Sequence, residues 1–340
     1  MINFEQISSK LDSFFPTPRY LNFDPVAIDI LPTSIRLMKL KVSKNGLVPA
    51  FYKEVRLKNK VDITEINNDK TVNTEAVREV IDVLKSLKKE FKLKYVVSSL
   101  PELKTYTFRT QLPKEASKKL SSAIRFGLEE NVPLSVDDVN FDYSVIESDD
   151  SNEVDVVVSV FPKSIINVYT KILKSAGLYP LAFEAESSAL AGSVITEGDK
   201  EPYLLVRLLE ERIGLAIVED GVVQYASTLQ INAKKVSEDF KSKEATDLSE
   251  ALNKLLIFWF TSKKDPVSHD KIQTVFVTGE YATAPGIQEF LERHLKINVE
   301  VANIWSNCFS TDKHIPEINQ KDALNFSVAI GLSIKGIKHA

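Results

Sequence analysis

The residue types that build metal sites and hydrolytic triads are sparse in this chain. Four histidines are present, and none has a cysteine or carboxylate at the spacing typical of zinc ligands. Composition alone leaves a Ser/His/Asp triad open, but the sequence has no Gly-x-Ser-x-Gly elbow. The lone cysteine, Cys308, has no activating neighbour in sequence and is typical of a small buried hydrophobe. We therefore expect no metal site and no reactive thiol.

Composition narrows the class of protein further. The chain has 340 residues, 44% hydrophobic and 26% charged, with a formal net charge of -4. This profile is typical of a globular protein with a sizeable core, and it lacks the basic excess of nucleic-acid binders. Met1–Leu11 does not resemble a signal peptide, and the apolar run Leu255–Phe260 is far too short to span a bilayer. We expect a cytoplasmic protein with no nucleic-acid partner and no direct membrane insertion.

Any functional side chain must be positioned by strands and helices, and the sequence predicts that the two alternate along the chain. Turn signals such as Asn45-Gly46 separate the first apolar runs, which predict strands. Thr74 is the predicted cap of a helix that ends near Phe91, and Tyr95–Leu100 predicts a buried strand. The predicted first strands are Val26–Ile30, Ile35–Val42 and Phe51–Leu57.

A middle block and a second half continue the alternation. In the middle block, Thr105–Gln111 predicts a strand and Lys114–Glu130 a helix. The second half begins near residue 200 with three strands in a meander, followed by a helix over Asp247–Phe260. We assign Phe258-Trp259-Phe260 to the core. The order of elements predicts an α/β protein with two related halves.

Several stretches match one family in order and spacing. Together they resemble the PilM family of type IV pilus assembly proteins, an FtsA-related branch of the actin-like ATPase superfamily, over roughly residues 15–338. The matching stretches are Val26-Ala27-Ile28-Asp29-Ile30 with Thr33-Ser34-Ile35-Arg36; Asn131-Val132-Pro133-Leu134 with Phe141-Asp142-Tyr143; Pro162-Lys163 with Ala176-Gly177-Leu178 and Phe183-Glu184-Ala185-Glu186; and Val275–Gly279 with Pro285-Gly286-Ile287 and Val299–Asn303.

The resemblance implies an actin-like, ribonuclease H-like fold in two halves, with a small α+β subdomain inserted in the first half. Residues 1–23 are then an irregular N-terminal extension. The predicted first subdomain comprises residues 24–100, 181–200 and 325–340. The predicted insert, residues 101–180, binds a partner, and residues 201–324 form the second half.

Members of this superfamily hold ATP phosphates between two loops, where glycine permits close approach of backbone N–H groups and an Asp positions the metal. In the first loop Asp29 is retained, but Leu31 and Pro32 replace the small residues, and proline has no N–H to donate. The hydroxyls of Thr33 and Ser34 remain available. The resemblance also places Arg36 at this predicted cleft.

The second and third elements depart further from the family pattern. Where Asp-Ile-Gly-Ala is expected, the chain has Arg207-Leu208-Leu209-Glu210, followed by Glu211. The bulk of Leu209 and the added carboxylates oppose phosphate binding. In the third element a triple glycine is replaced by Gly279-Glu280-Tyr281. Tyr281 either fills the space for the base or lies on the surface.

Glu186 matches the position of a family glutamate near the attacking water. We interpret it as a solvated side chain at a helix start and treat Asp29 and Glu186 as vestigial catalytic residues. We therefore expect no cofactor and no hydrolysis. Mg-ATP bound in the interdomain cleft of an active ATPase or sugar kinase-like enzyme is the alternative.

The resemblance implies a docking function for the insert. In PilM-like proteins a groove between the insert and the first domain binds the cytoplasmic tail of a membrane-anchored PilN protein. Predicted contact residues are Phe126, Val132, Pro133 and Leu134, although each could equally belong to the core. Pilus motor or platform proteins and a second copy of the chain are further expected partners, and the protein would lie at the inner face of the cytoplasmic membrane through them. FtsA itself is disfavoured, because the sequence stops directly after the last predicted helix.

Overall fold

The computed structural model describes residues 23–63, 74–146, 152–262 and 271–338, with the backbone alone for 116–118. Almost all of the predicted N-terminal extension, residues 1–23, therefore lies outside the described residues. The described part forms two five-stranded sheets and one three-stranded sheet. The strands are β1 (Val26–Ile30), β2 (Ser34–Ser43), β3 (Gly46–Arg56), β4 (Tyr95–Leu100), β5 (Tyr106–Pro113), β6 (Val139–Ile146), β7 (Glu153–Pro162), β8 (Tyr179–Ala185), β9 (Tyr203–Leu208), β10 (Ile213–Glu219), β11 (Val222–Leu229), β12 (Thr274–Thr278) and β13 (Asn298–Val301).

Helices connect and cover these sheets. They are α1 (Glu75–Phe91), α2 (Leu120–Asn131), α3 (Lys163–Ser175), α4 (Glu186–Val194), α5 (Ala233–Glu238), α6 (Lys243–Ser262), α7 (Ile287–Leu295), α8 (Gln320–Ala323) and α9 (Ser327–Lys338). Of these, α5 was not predicted. Its cap is Asn232, whose side chain accepts a hydrogen bond from the N–H of Lys235.

The two large sheets share one plan. The first has the order β3-β2-β1-β4-β8 and the second the order β11-β10-β9-β12-β13. In each, an antiparallel meander is extended by two parallel strands. This confirms the prediction of an α/β protein with two related halves.

Local sequence signals explain the first half. Gly46 has a φ of 110° in the turn between β2 and β3, which only glycine adopts without strain, and a Cβ there would collide with the carbonyl oxygen of Cys308. Thr74 caps α1, because its hydroxyl accepts a hydrogen bond from the N–H of Val77 at 3.4 Å. Both features were predicted from sequence.

The insert has a core of its own. Its sheet, ordered β5-β7-β6, packs on α2. The predicted helix over Lys114–Glu130 begins instead as a 3-10 helix and becomes α-helical only at Leu120. The buried residues of this core are Ile124, Leu128, Val132, Val139, Val156, Val158 and Val160.

The predicted insert boundary at residue 180 needs correction. Helix α3 lies inside the range 101–180, but its apolar face belongs to the core of the first half, where Ile172 and Leu173 are fully buried. Helix α3 contacts α1, β4 and β8. The insert with its own core is therefore the shorter stretch from β5 to β7.

The prediction that Phe258-Trp259-Phe260 is core is correct for one residue. Trp259 is buried, whereas Phe258 is 52% exposed. The three residues point in successive directions around helix α6, so a single helix face cannot bury all of them.

The core between the two large sheets is continuous. Helix α9 packs against α4, β1, β2 and β4. Ala27 and Met38 of the first sheet share a cluster with Leu205 and Val277 of the second. Gly331 of α9 lies so close to the carbonyl oxygen of Ala189 that a Cβ would overlap it. Within the described ranges, no helix is both long enough and apolar enough to span a membrane.

Candidate functional site

Asp29 lies at the centre of the cleft between the halves. It is the fourth residue of β1 and has no exposed surface. Ser99 of β4 donates its hydroxyl to Asp29 Oδ1 at 2.7 Å, and Arg207 of β9 donates Nη2 to Asp29 Oδ2 at 2.7 Å. Because β1 and β9 belong to different sheets, this buried ion pair joins the two halves.

The surroundings of Asp29 favour its ionised form. Burial would raise the pKa of the Asp29 carboxyl, but the charge of Arg207, the Ser99 hydroxyl and the charge of Arg36 together hold it below its ordinary value. Asp29 is therefore a carboxylate at neutral pH, and Arg207 supplies its counter-charge.

Glu186 extends the ion pair into a chain of alternating charges. It is the first residue of α4 and accepts a hydrogen bond from Arg212 Nη2 at 2.5 Å. Its other carboxylate oxygen is 3.9 Å from Arg207 Nη1. The prediction of a solvated Glu186 is wrong, because two arginines compensate its burial at the start of the helix.

Arg36 forms a second set of contacts between the halves. Its guanidinium is fully buried and donates to Glu54 at 2.9 Å, to Glu280 at 2.5 Å and to the carbonyl oxygen of Asn325 at 2.9 Å. Glu280 follows Gly279, which has a φ of 93° and sits so close to Leu208 that a Cβ would approach its carbonyl oxygen to 2.6 Å. Glycine is thus retained here for close backbone packing.

The predicted phosphate loops use their own backbone groups. The N–H of Leu31 donates to the carbonyl oxygen of Ser34 at 2.8 Å, and the N–H of Leu209 donates to that of Arg212 at 3.1 Å. Thr33 contributes a carbonyl to Leu57 at 2.8 Å. Leu31 and Leu209 are buried, and their backbone N–H groups are therefore satisfied within the protein.

Sequence reasoning missed Glu102, Ser99 and Arg212. Glu102 lies just after β4, is buried, and accepts a hydrogen bond from the N–H of Ser187 at 3.0 Å. Burial raises the pKa of the Glu102 carboxyl. A polar residue directly after a buried strand, such as Glu102 after Leu100, was the available sequence signal.

Little space remains around these groups. A cavity of about 20 Å³ lies between Glu102, Glu186 and Arg207. A second, of about 40 Å³, lies at the cleft mouth between Pro32, Tyr169 and Arg212. Such volumes hold one or a few water molecules. Within the described ranges, no group of three or more His, Cys, Asp or Glu is placed to hold a metal ion.

The predicted partner-contact residues divide into two pairs. Val132 is buried in the insert core, and Leu134 packs against that core. Pro133 is exposed, and Phe126 is 92% exposed on α2. Phe126 and Pro133 are therefore the two of these four residues that are exposed, and Leu134 is partly exposed.

Comparison with known proteins identifies the relatives of the chain. A model of the family described as type IV pilus assembly protein PilM matches residues 27–226 and 208–337. Comparison with curated proteins gives no match. A solved PilM-PilN type IV pilus biogenesis complex has a TM-score of 0.71 at 17% identity, covering 93% of this chain and 99% of that one.

Two further solved structures extend the comparison. The ethanolamine utilization protein EutJ from Carboxydothermus hydrogenoformans has a TM-score of 0.46 at 11% identity, covering 97% of this chain and 98% of that one. ADP-bound MreB5 of Spiroplasma citri has a TM-score of 0.48 at 10% identity, with coverages of 92% and 96%. Both scores are below 0.5, and the predicted fold is confirmed by the TM-score of 0.71 with the solved PilM-PilN complex. Since the family match spans almost the whole described chain, this protein belongs to the PilM family of type IV pilus assembly proteins.

Proposed function

We propose that this protein is a scaffold of type IV pilus assembly, or of a related competence or secretion system, whose nucleotide site is degenerate. The observation that supports this is the buried ion pair between Asp29 and Arg207. An Asp in this loop positions a metal in ATP-binding relatives. Here both of its oxygens are bound by the protein itself.

Space argues against a nucleotide. Small-molecule sites enclose about 300–1,000 Å³. The cavities at the predicted cleft measure about 20 and 40 Å³. Seating a triphosphate would require the halves to part and would break the contacts of both Arg36 and Arg207.

Electrostatics point the same way. A metal bound to Asp29 would displace Arg207 and leave a buried guanidinium near a divalent cation, which is strongly unfavourable. Glu210 would add negative charge beside the phosphates, whereas the charge of Glu211 is compensated by an ion pair with Lys60. The site therefore supplies its own cation in the form of Arg207.

An active Mg-ATP site is the alternative, because Asp29 and Gly279 are both retained. Thermal unfolding with and without Mg-ATP separates the two functions. We expect a shift in Tm below about 1 °C at millimolar nucleotide, since a ligand stabilises only the state it binds. Mg-ADP and Mg²⁺ alone serve as controls. A specific rise of several degrees with Mg-ATP would establish the active enzyme instead.

We further propose that the scaffold binds the cytoplasmic tail of a membrane-anchored PilN-like protein through its insert and is held at the inner membrane face in this way. The similarity to the solved PilM-PilN complex supports this partner. Exposed Pro133 and Phe126 are available on the insert surface.

Titration of a fluorescent PilN-like tail peptide tests the partner. The full chain should bind it, and a scrambled peptide of the same composition should not. Binding that requires Mg-ATP would favour the active ATPase. If the peptide fails to bind both with and without Mg-ATP, the tail is refuted as the ligand.

A further inference from the structure

A second surface, which shares no described lining residue with the cavities of the cleft, has an open apolar groove. It lies in the second half, where the end of α6 faces the starts of β12 and β13 and the end of α7, and its volume is about 580 Å³. We call it the α6–α7 groove. Its lining residues are Asn253, Leu256, Ile257, Trp259, Phe260, Thr261, Lys271, Ile272, Gln273, Leu295, Lys296, Ile297 and Asn298.

The charge of this groove has one sign. Lys271 and Lys296 line it and are exposed, and none of its described lining residues is acidic. Lys271 Nζ lies 5.1 Å from the ring centre of Phe260, so a positive charge lies next to an apolar lining residue of the groove. Ile257 in the wall is 64% exposed. A groove of this kind fits an apolar side chain flanked by carboxylates.

The chain itself presents such a side chain. Phe126 on α2 is 92% exposed, and Glu129 and Glu130 are exposed three and four residues further along the helix. Positions three and four residues apart lie on the same helix face. Phe126 is therefore an exposed aromatic side chain beside two carboxylates, whose charge is opposite to that of the lysines in the α6–α7 groove.

We propose that the Phe126 face of one copy docks in the α6–α7 groove of a second copy. The two surfaces belong to different parts of the fold, the insert and the second half. Their contact is heterologous, and repetition gives an open chain or a closed ring. This self-association is independent of the nucleotide site. It uses Phe126, which is also a proposed contact of the PilN-like tail, so the tail and the second copy would compete for this face.

The contact is weak by its size. One Phe side chain buries about 150–250 Å², far less than the 1,200 Å² or more of a stable interface. Association is therefore expected only towards millimolar protein, or where a membrane platform concentrates the copies. Because lysines and carboxylates face each other across it, added salt should weaken it.

Sedimentation velocity over a concentration series of the full chain tests this proposal. We expect concentration-dependent association that Phe126→Ser weakens by about fivefold or more. Ile315→Ser removes an equally exposed apolar side chain outside both surfaces and should leave association unchanged. A chain that stays monomeric at every concentration overturns the proposal.

A mixing experiment separates this arrangement from a symmetric dimer. Phe126→Ser retains the groove, whereas the double variant Lys271→Glu/Lys296→Glu retains the aromatic face. Each variant alone should associate about fivefold or more weakly than the parent chain. Their mixture should form heterodimers that grow no further. A charge exchange, Glu129→Lys/Glu130→Lys combined with Lys271→Glu/Lys296→Glu, should restore association.

Other outcomes assign the surfaces differently and overturn the proposal. Unchanged association in Phe126→Ser would mean that something else occupies the groove. Loss of tail-peptide binding in Phe126→Ser, without self-association of the parent chain, would assign Phe126 to the tail. Folding of each variant is verified by its circular dichroism and Tm, so that loss of association is not mistaken for unfolding.

Discussion

The cleft between the halves and the α6–α7 groove differ in how they treat polar groups and space. In the cleft, arginines and carboxylates are buried in direct contact, and the cavities hold only a few waters. In the groove, apolar side chains surround about 580 Å³ of open space, and the lysines remain solvated. The region that a nucleotide would occupy is thus filled by ion pairs of the protein itself, although Arg207 Nε and Nη1 have no hydrogen-bond partner there within the described part of the chain. The α6–α7 groove, in contrast, is open to a partner.

The largest expected effect comes from removing Arg207. Arg207→Ala leaves Asp29 buried without its counter-charge, so the free energy of unfolding in urea at pH 7 should fall by about 3–5 kcal/mol. Asp29→Asn combined with Arg207→Ala should lose less than the sum of the single variants. A loss below about 1 kcal/mol for Arg207→Ala would show that the pair is dispensable.

The tightness of the packing between the halves can be probed at a glycine. Gly331→Ala places a methyl group against the carbonyl oxygen of Ala189 and should destabilise the fold by about 1–3 kcal/mol in urea unfolding. The matched control is Gly192→Ala in α4, whose Cβ meets no atom within 4 Å and which should gain up to about 1 kcal/mol from helix propensity. Equal effects at the two sites would disprove close packing at Gly331.

The cleft also predicts two opposite responses to pH. The folded pKa of Asp29 lies below its ordinary value of 3.8, so the stability that Asp29 contributes is present above that value and is lost as pH falls through the folded pKa. Asp29→Asn should accordingly flatten the loss of stability in acid. The measurement is urea unfolding between about pH 3 and pH 8.

The contribution of Glu102 to stability changes with pH in the opposite direction, since the folded pKa of Glu102 lies above its ordinary value of 4.5. The stability that Glu102 contributes is present below that value and is lost as pH rises through the folded pKa. Glu102→Gln should remove this decline, and a variant with the same slope as the parent between pH 5 and pH 7, roughly, would contradict the buried acid.

The smallest effect is expected in the groove. Ile257→Ser changes an exposed side chain in an open wall, so the free energy of unfolding should change by less than about 0.5 kcal/mol. Trp259→Ala, one of the buried residues beneath it, should instead cost about 3–5 kcal/mol. A large loss for Ile257→Ser would mean that the groove is part of the core.

Sequence patterns predicted the local structure well, because short-range signals determine it. The turn at Gly46, the cap at Thr74 and the strand Tyr95–Leu100 follow from backbone and capping chemistry within a few residues. The two halves followed from the repeated order of elements. The start of α2 at Leu120 could not be located, since the preceding turn is 3-10 helical without a capping signal.

The cleft could be predicted only in part. Asp29, Arg207 and Glu186 were identified, but the pairing of Asp29 with Arg207 joins residues 178 positions apart and depends on the relative placement of two sheets. The solvated interpretation of Glu186 was wrong because its partner, Arg212, comes from the turn between β9 and β10. Long-range charge pairing leaves no periodic trace in a single sequence.

The position of α9 has a consequence for synthesis of the protein. Residues 327–338 pack on β1, β2 and β4, which a ribosome produces roughly 230–300 residues earlier. The nascent first half therefore emerges with one face of its sheet uncovered until residues 327–338 have been synthesised. During that interval its apolar strands are exposed to aggregation. A substitution or truncation that disturbs α9 would therefore destabilise the sheet of the first half as well as the helix itself.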